Sequence, residues 1–291
     1  MPTVVHVRRA FVLGAALSLA LTGALAAATS ASAAGGRYVS LGDSYVSGPL
    51  IPTQSGGLCL RSSHNYPSLT AAALGLSLTD ASCFGATTVE MTAAQSDDGL
   101  TINAPQLNSV TSGTSVVTLG IGGNDIGFIN IIETCAEESL TNPFGSPCTS
   151  HYTSGGTDQL AASISATGPK VAAVLTEIHQ LAPDARVYVV GYPDILPEHN
   201  NGCWPIVPIA YGDVSYLRQT EKGLDSMLSA EAAAHGATYV DTYTPTIGHD
   251  VCQAVGTKWI EGLVPTSSAA PFHPNALGEA AMARALESAI G

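Results

Sequence analysis

The feature that most constrains this chain is a regular alternation of short β-branched runs with longer segments of helical period. Runs at Arg37–Gly42, Leu76–Ser82, Ser115–Ile121, Arg186–Gly191 and Thr238–Asp241 are rich in Val, Leu, Ile, Tyr or Thr, and each ends near Gly, Asp or Pro, the pattern of a strand. Several are nearly continuous in apolar residues, as expected of strands covered on both faces. Between them, Val171, Val174, Leu175, Ile178 and Leu181 recur at helical spacing, as do Leu217, Leu224, Met227 and Leu228 in a segment closing at His235-Gly236. A shorter helix is predicted over Tyr66–Leu74, and a last one from about Pro274 to Ile290 with Pro274 in its first turn. The alternation predicts an α/β fold: a three-layer sandwich with a central parallel sheet of about five strands between helices, joined by right-handed crossovers. Sheets of this kind bind ligands at the carboxyl ends of their strands. Residues just past each run are therefore the candidates for chemistry.

The first 34 residues read differently. Arg8 and Arg9 precede an apolar, Ala-rich run from Ala10 to about Ala28, followed by Thr29-Ser30-Ala31-Ser32-Ala33-Ala34. A short positive region, an apolar stretch and a small-residue ending make a secretory signal peptide. The competing reading, an uncleaved anchor, is disfavoured by that ending. This leaves 35–291 as one domain acting outside the cell. The chain holds 10 Lys and Arg against 23 Asp and Glu, and the expected leader takes two of the basic residues and no acid. So acidic a surface repels phosphate backbones, which argues against nucleic acid as a partner.

Cys59, Cys83, Cys135, Cys148, Cys203 and Cys252 all follow the leader. An even number behind an export signal reads as disulfides. Several connectivities are open; pairing neighbours in order, Cys59-Cys83, Cys135-Cys148 and Cys203-Cys252, is the expectation. No CxxC or CxxH spacing suggests a metal site.

Four elements at run ends carry chemistry. The first run leads into Gly42-Asp43-Ser44, placing Ser44 just past a strand end. Alone, this could be an ordinary helix cap. The second run leads into Cys83-Phe84-Gly85, where a glycine lets backbone N–H approach a ligand. The third leads into Gly122-Gly123-Asn124-Asp125. Gly120-Ile121-Gly122 imitates a dinucleotide fingerprint, but Asp125 stands where its third glycine belongs. The fourth is Phe272-His273-Pro274-Asn275, before the last helix. The other histidines stand in no comparable setting.

Together these elements resemble the GDSL or SGNH hydrolase family, whose letters name a Ser, Gly, Asn and His, here Ser44, Gly85, Asn124 and His273. The resemblance runs from Tyr38 to the C-terminus. More narrowly, the chain resembles secreted actinobacterial esterases, lipases and phospholipases, which share the six-cysteine layout, the Leu58-Cys59-Leu60-Arg61-Ser62 segment and Gly256-Thr257-Lys258-Trp259-Ile260-Glu261. The resemblance implies a flavodoxin-like fold. It also implies a serine nucleophile, Ser44, a general base, His273, and an oxyanion hole from the N–H of Ser44, the N–H of Gly85 and the Asn124 amide. No cofactor or metal is implied. The expected partners are a lipid or small ester substrate and, transiently, a lipid interface, for a chain acting as a monomer. A carbohydrate acetylesterase is the alternative within the same architecture. A degenerate binding protein is the alternative outside it, and the complete Ser, Gly, Asn and His set argues against that.

One departure matters. Most family members carry an acid three residues before the His; here the position is Ala270, and residues 266–272 hold no acid. A Ser-His dyad is therefore expected, the imidazole being oriented by a backbone carbonyl from about Ser268–Pro271, with Asp250 or Asp241 as alternatives. Asp43 and Asp125 read as loop-ordering acceptors of backbone N–H groups. Trp259 and Tyr45 fit either an acyl pocket or the core.

Overall fold

The structure, a computed structural model, describes residues 1–3 and 35–291. All but the first three residues of the expected leader lie outside the described residues. A sheet of five parallel strands in the order β2-β1-β5-β6-β7 forms the centre. Its members are β1 (Arg37–Gly42), β2 (Ser77–Asp80), β5 (Val116–Gly120), β6 (Arg186–Val190) and β7 (Thr238–Val240). This is the flavodoxin-like order, with its switch point between β1 and β5. The small antiparallel hairpin β3 (Gln95–Asp97) and β4 (Leu100–Asn103) stands apart from it.

Strand side chains alternate between two apolar layers. Val39, Leu41, Val117, Leu119, Val187 and Val189 point into one. There they meet Val171, Leu175 and Ile178 of α5 (Gln159–Leu181) and Leu224 and Leu228 of α6 (Val214–Ala234). Tyr38, Val116, Tyr188 and Val190 point into the other, against Tyr66 and Ala71 of α2 (Tyr66–Leu74) and Met282 and Leu286 of α7 (Ala276–Ile290). This double coverage is why the central strands β1, β5 and β6 read as near-continuous apolar runs. The amphipathic α3 (Phe128–Ser139) and short α4 (Pro147–Thr153) follow β5, and the one-turn α1 (Ser44–Ser47) follows β1.

The sequence expectation misplaced one boundary. Pro274 does not open the last helix; it sits in an isolated bridge with Ile260, and α7 begins at Ala276. Asn275 caps that helix instead, its side chain accepting from Leu277 N and Gly278 N. An amide oxygen that satisfies two orphan donors outweighs the preset backbone of proline.

At the switch point the two central strands end level. Gly42 pairs with Gly120, and Asp43 N–H donates to Gly120 O at 3.0 Å. The chain then turns sharply into α1. Gly42 adopts φ 154°, and a Cβ there would stand 2.4 Å from Gly120 O and 2.3 Å from the Val46 side chain. A side chain at residue 42 would drive the serine turn off the end of the strand.

The cysteines form Cys59–Cys83, Cys135–Cys148 and Cys203–Cys252. The first clamps the loop after β2, where Phe84 N–H also donates to Cys59 O at 3.1 Å. Its sequence separation is 24, which corresponds to about 3 kcal/mol of chain-entropy stabilisation. The double variant Cys59→Ser/Cys83→Ser is expected to lose about that much in denaturant unfolding. A loss under about 0.5 kcal/mol would show that the bridge does not restrain the unfolded chain.

Candidate active site

Four loops at the carboxyl edge of the sheet bring the candidate residues together. Asp43 caps α1 by accepting from Tyr45 N at 2.9 Å, which sets Ser44 at the first helical position. Ser44 and His273 are both buried, and Ser44 Oγ lies 2.7 Å from His273 Nε2. The other ring nitrogen, Nδ1, lies 2.7 Å from the Pro271 carbonyl oxygen. A carbonyl only accepts, so Nδ1 carries the proton and Nε2 presents a lone pair to the serine. The orienting group is thus a carbonyl from the expected stretch. Neither alternative acid reaches the ring. Asp250 accepts from Cys252 N and Gln253 Nε2, and the exposed Asp241 accepts from Thr244 N.

The loop carrying the imidazole is held from three sides. Phe272 adopts φ 60°, an uncommon conformation for a residue with a side chain. Its N–H donates to Glu261 O at 2.9 Å, and its carbonyl accepts from Tyr45 Oη at 2.6 Å. Glu261 N–H donates to His273 O at 3.0 Å. The buried Glu261 carboxylate accepts from Asn275 Nδ2 at 2.8 Å and Thr266 N at 2.7 Å, and pairs with Lys258 at 3.0 Å. Burial alone would raise this acid; the donors from Asn275, Thr266 and Lys258 outweigh it and hold it at about 2. The His273 ring lies 4.7 Å from that of Tyr45 and 6.0 Å from that of Phe84. Burial lowers the imidazole to about 4 against a smaller upward effect of the Pro271 carbonyl. The ring is neutral at neutral pH and able to take a proton.

A second network fixes the serine side. Tyr192, just past β6, donates from Oη to Asp43 Oδ2 at 2.6 Å and accepts from Gly123 N at 2.8 Å. It thereby ties the ends of β1, β5 and β6 into one unit. Burial pushes Asp43 up to about 7, opposed by the hydrogen bonds from Tyr192 and Tyr45 N. Asp125 accepts from Thr88 N at 2.9 Å and Thr88 Oγ1 at 2.6 Å, joining the Asn124 loop to the Gly85 loop. Both aspartates accept backbone N–H bonds. Asn124 Nδ2 donates to Ala86 O at 2.9 Å, which orients the amide and leaves its second hydrogen for a ligand. Gly85 takes φ 77°.

Tyr192 and Glu261 escaped the sequence reading. Tyr192 carried a signal, since it directly follows a strand run. Glu261 stands within the Gly-Thr-Lys-Trp-Ile-Glu segment, but nothing local to it shows that its partners lie at Thr266 and Asn275. Tyr45 belongs to the site. Trp259 instead stacks on His249, with ring centroids 3.4 Å apart.

A parallel sheet of flavodoxin-like order, with a hydrogen-bonded serine and neutral imidazole at its switch point, defines an α/β/α serine hydrolase. The chain belongs to the GDSL-like lipase/acylhydrolase family, whose profile matches residues 40–281. It is 42% identical over 281 residues to Lipase 2 of Streptomyces coelicolor, covering 94% of this chain and 93% of that one. Among solved structures it resembles phospholipase A1 from Streptomyces albidoflavus NA297, with 30% identity, a TM-score of 0.72, and coverage of 88% of this chain and 99% of that one. It also resembles the extracellular lipase of Streptomyces rimosus, with 27% identity, a TM-score of 0.70, and coverage of 87% and 99%.

The carbonyl arrangement is checked by Asp250→Asn. Its kcat/KM on a nitrophenyl ester is expected to stay within about threefold of the parent, far from the roughly 10⁴ loss when a triad acid is removed. A loss near that scale would make Asp250 the orienting group.

Proposed function

We propose that this lipase-family protein is a secreted carboxylic ester hydrolase working through an acyl-enzyme on Ser44. His273 takes the Ser44 proton as the hydroxyl attacks the ester carbonyl, and returns it to the leaving alcohol. Water then repeats the sequence against the acyl-enzyme, with His273 again as base. The N–H groups of Ser44 and Gly85 and the free Asn124 amide hydrogen would bind the oxyanion. Each such donor is typically worth about 10²–10³ in turnover.

The observation that carries this reading is the 2.7 Å Ser44–His273 bond at the head of an apolar groove. The groove, about 190 Å³, is lined by Phe84, Phe128, Ile129, Ile132 and Leu263 as well as His273. Such a lining favours a lipid acyl chain over a sugar ring. The exposed Ile129 and Leu263 on its rim suit transient contact with a lipid interface. Three disulfides and the extracellular setting of the S. rimosus lipase support action outside the cell, with 35–291 as the mature domain.

Ser44→Ala is expected to abolish hydrolysis of nitrophenyl and phospholipid esters while leaving the unfolding midpoint unchanged; retained turnover would reject Ser44 as nucleophile. Because the base must be neutral, kcat/KM should rise with pH through about 4 and then stay level across neutrality. A midpoint at the ordinary imidazole value of about 6.5 would mean that burial does not hold the ring neutral.

A further inference from the structure

Beyond the far end of α3, two loops present apolar side chains to solvent. Phe144 is 81% exposed, the most open Phe, Tyr or Trp among the described residues. Leu140, four residues earlier, is 70% exposed, and Ile206, on the long segment after β6, is 74% exposed. Scattered exposed aliphatics are ordinary, but joined ones mark an interaction surface. The Phe144 ring stacks on that of Tyr211, with centroids 5.7 Å apart. Tyr211 Oη donates to Trp204 O at 3.2 Å, and Tyr211 N–H donates to Pro143 O at 2.9 Å. Gly212 N–H donates to Gly145 O at 3.0 Å. Cys135–Cys148 and Cys203–Cys252 tie the two loops to the body of the domain. The result is a fixed platform that displays Leu140, Phe144 and Ile206 around the half-buried Trp204 and Tyr211.

The platform continues the mouth of the catalytic groove. Leu140 keeps helical dihedrals at the end of α3, and Ile129 on the groove rim belongs to its first turn. At about 100° per residue the two positions differ by about 20° after three turns, so they share one face of the helix about 16 Å apart. On the other side, a Cβ at Gly262 would stand 3.6 Å from Val207 Cγ2. Leu263 of the rim and Ile206 of the platform are the chain neighbours of that contact. The charges of this face have one sign. Residues 126–169, 187–217 and 259–283 contain no Lys or Arg, while the exposed Glu133 and Glu137 stand on α3 between the groove and the platform.

We infer that the Leu140–Phe144–Ile206 platform seats the enzyme on a phospholipid surface of zwitterionic head groups, with the groove mouth turned toward it. The inference rests on the ester-hydrolase reading above and adds the partner: the lipid surface from which the substrate is drawn. Exposed Phe, Leu and Ile enter the acyl boundary, and the amphipathic rings of Trp204 and Tyr211 suit the level of the head groups. Anionic lipids hold peripheral proteins through Lys and Arg, which these segments lack. Glu133 and Glu137 repel anionic head groups and attract the ammonium that a choline head group turns outward.

The test is co-sedimentation of the full protein with phosphatidylcholine vesicles and with phosphatidylglycerol vesicles, in the Ser44→Ala background so that the lipid is not consumed. Binding is expected to phosphatidylcholine and to be weaker to phosphatidylglycerol. Phe144→Ser with Ile206→Ser, both at exposed positions, is expected to lower the phosphatidylcholine partition coefficient about tenfold with an unchanged unfolding midpoint. With Ser44 intact, the same pair should lower turnover of vesicle phosphatidylcholine about tenfold and leave kcat/KM on soluble nitrophenyl butyrate within twofold of the parent. No vesicle binding, equal partition with and without the two substitutions, or tighter binding to phosphatidylglycerol overturns the docking face. So does a dimer in sedimentation velocity that the pair dissociates, which would make the face a contact between copies. If the vesicles are bound as expected but the parent hydrolyses neither ester, the docking face stands and the hydrolase reading fails.

Discussion

The site depends on keeping one imidazole ring from turning. A serine hydroxyl 2.7 Å from a ring nitrogen is useful only while that nitrogen stays lone-pair-first. Here no carboxylate does the holding. The Pro271 carbonyl fixes the tautomer, and that carbonyl belongs to the same tight turn as the ring. The turn must therefore be rigid in its own right. Phe272 sits in a conformation that costs on the order of 1–3 kcal/mol for a non-glycine residue. It persists because its N–H, its carbonyl and the carbonyl of His273 are all engaged, with Glu261 supplying two of the three partners. Glu261 in turn is immobile because Lys258, Thr266 and Asn275 converge on its carboxylate. Asn275 also caps α7, so the last helix and the catalytic turn are set by one side chain.

The serine half is built from different material. Its position comes from strand register, since β1 and β5 end level at Gly42 and Gly120. A buried chain, Gly123 N–H to Tyr192 to Asp43, then locks the three strand ends. Fully satisfied polar networks of this kind fix geometry strongly, and a missing member leaves a buried group unpaired. Tyr45 joins the halves, its N–H on Asp43 and its hydroxyl on Phe272 O. Residues 227 apart in sequence are connected through that single hydroxyl.

What could be read from sequence follows from how far each determinant reaches. The three central strands were legible because burial on both faces writes itself into consecutive residues, while the partly exposed edge strands β2 and β7 showed in their β-branched, aromatic and Thr content. Ser44, Gly85, Asn124 and His273 stood out as candidates because each lies two to five residues past a strand or before a helix. Loop-held features were not. Glu261 looks like a surface acid in a polar segment, yet it is fully buried, because its partners arrive from a later turn. The hairpin β3–β4 has only three and four residues per strand, too few to show a period. Helix α3 does carry a helical pattern in Phe128, Ile131, Ile132 and Cys135, but it spans only two turns before the polar run Ala136–Ser139. Pro274 misled for the same reason: a local preference lost to an amide side chain with two donors in reach.

Substituting a carbonyl for a carboxylate changes the electrostatics of the proposed reaction. A buried aspartate would stabilise the imidazolium formed as serine gives up its proton, but it would itself resist ionising in a dry site. The carbonyl offers only a dipole, and it has no proton to gain at low pH. The consequence is a ring held at about 4 by burial, neutral over a wide range but a weak base. A weaker base must be matched by stronger stabilisation of the oxyanion, since both charges develop together. In the proposed reaction that demand would fall on the Asn124 and Gly85 loops. It gives a physical reason for clamping them so heavily, through Asp125 on Thr88, Asn124 on Ala86 and the Cys59–Cys83 bridge. In the proposed reaction, rigidity on the oxyanion side would take over part of the work of the missing acid.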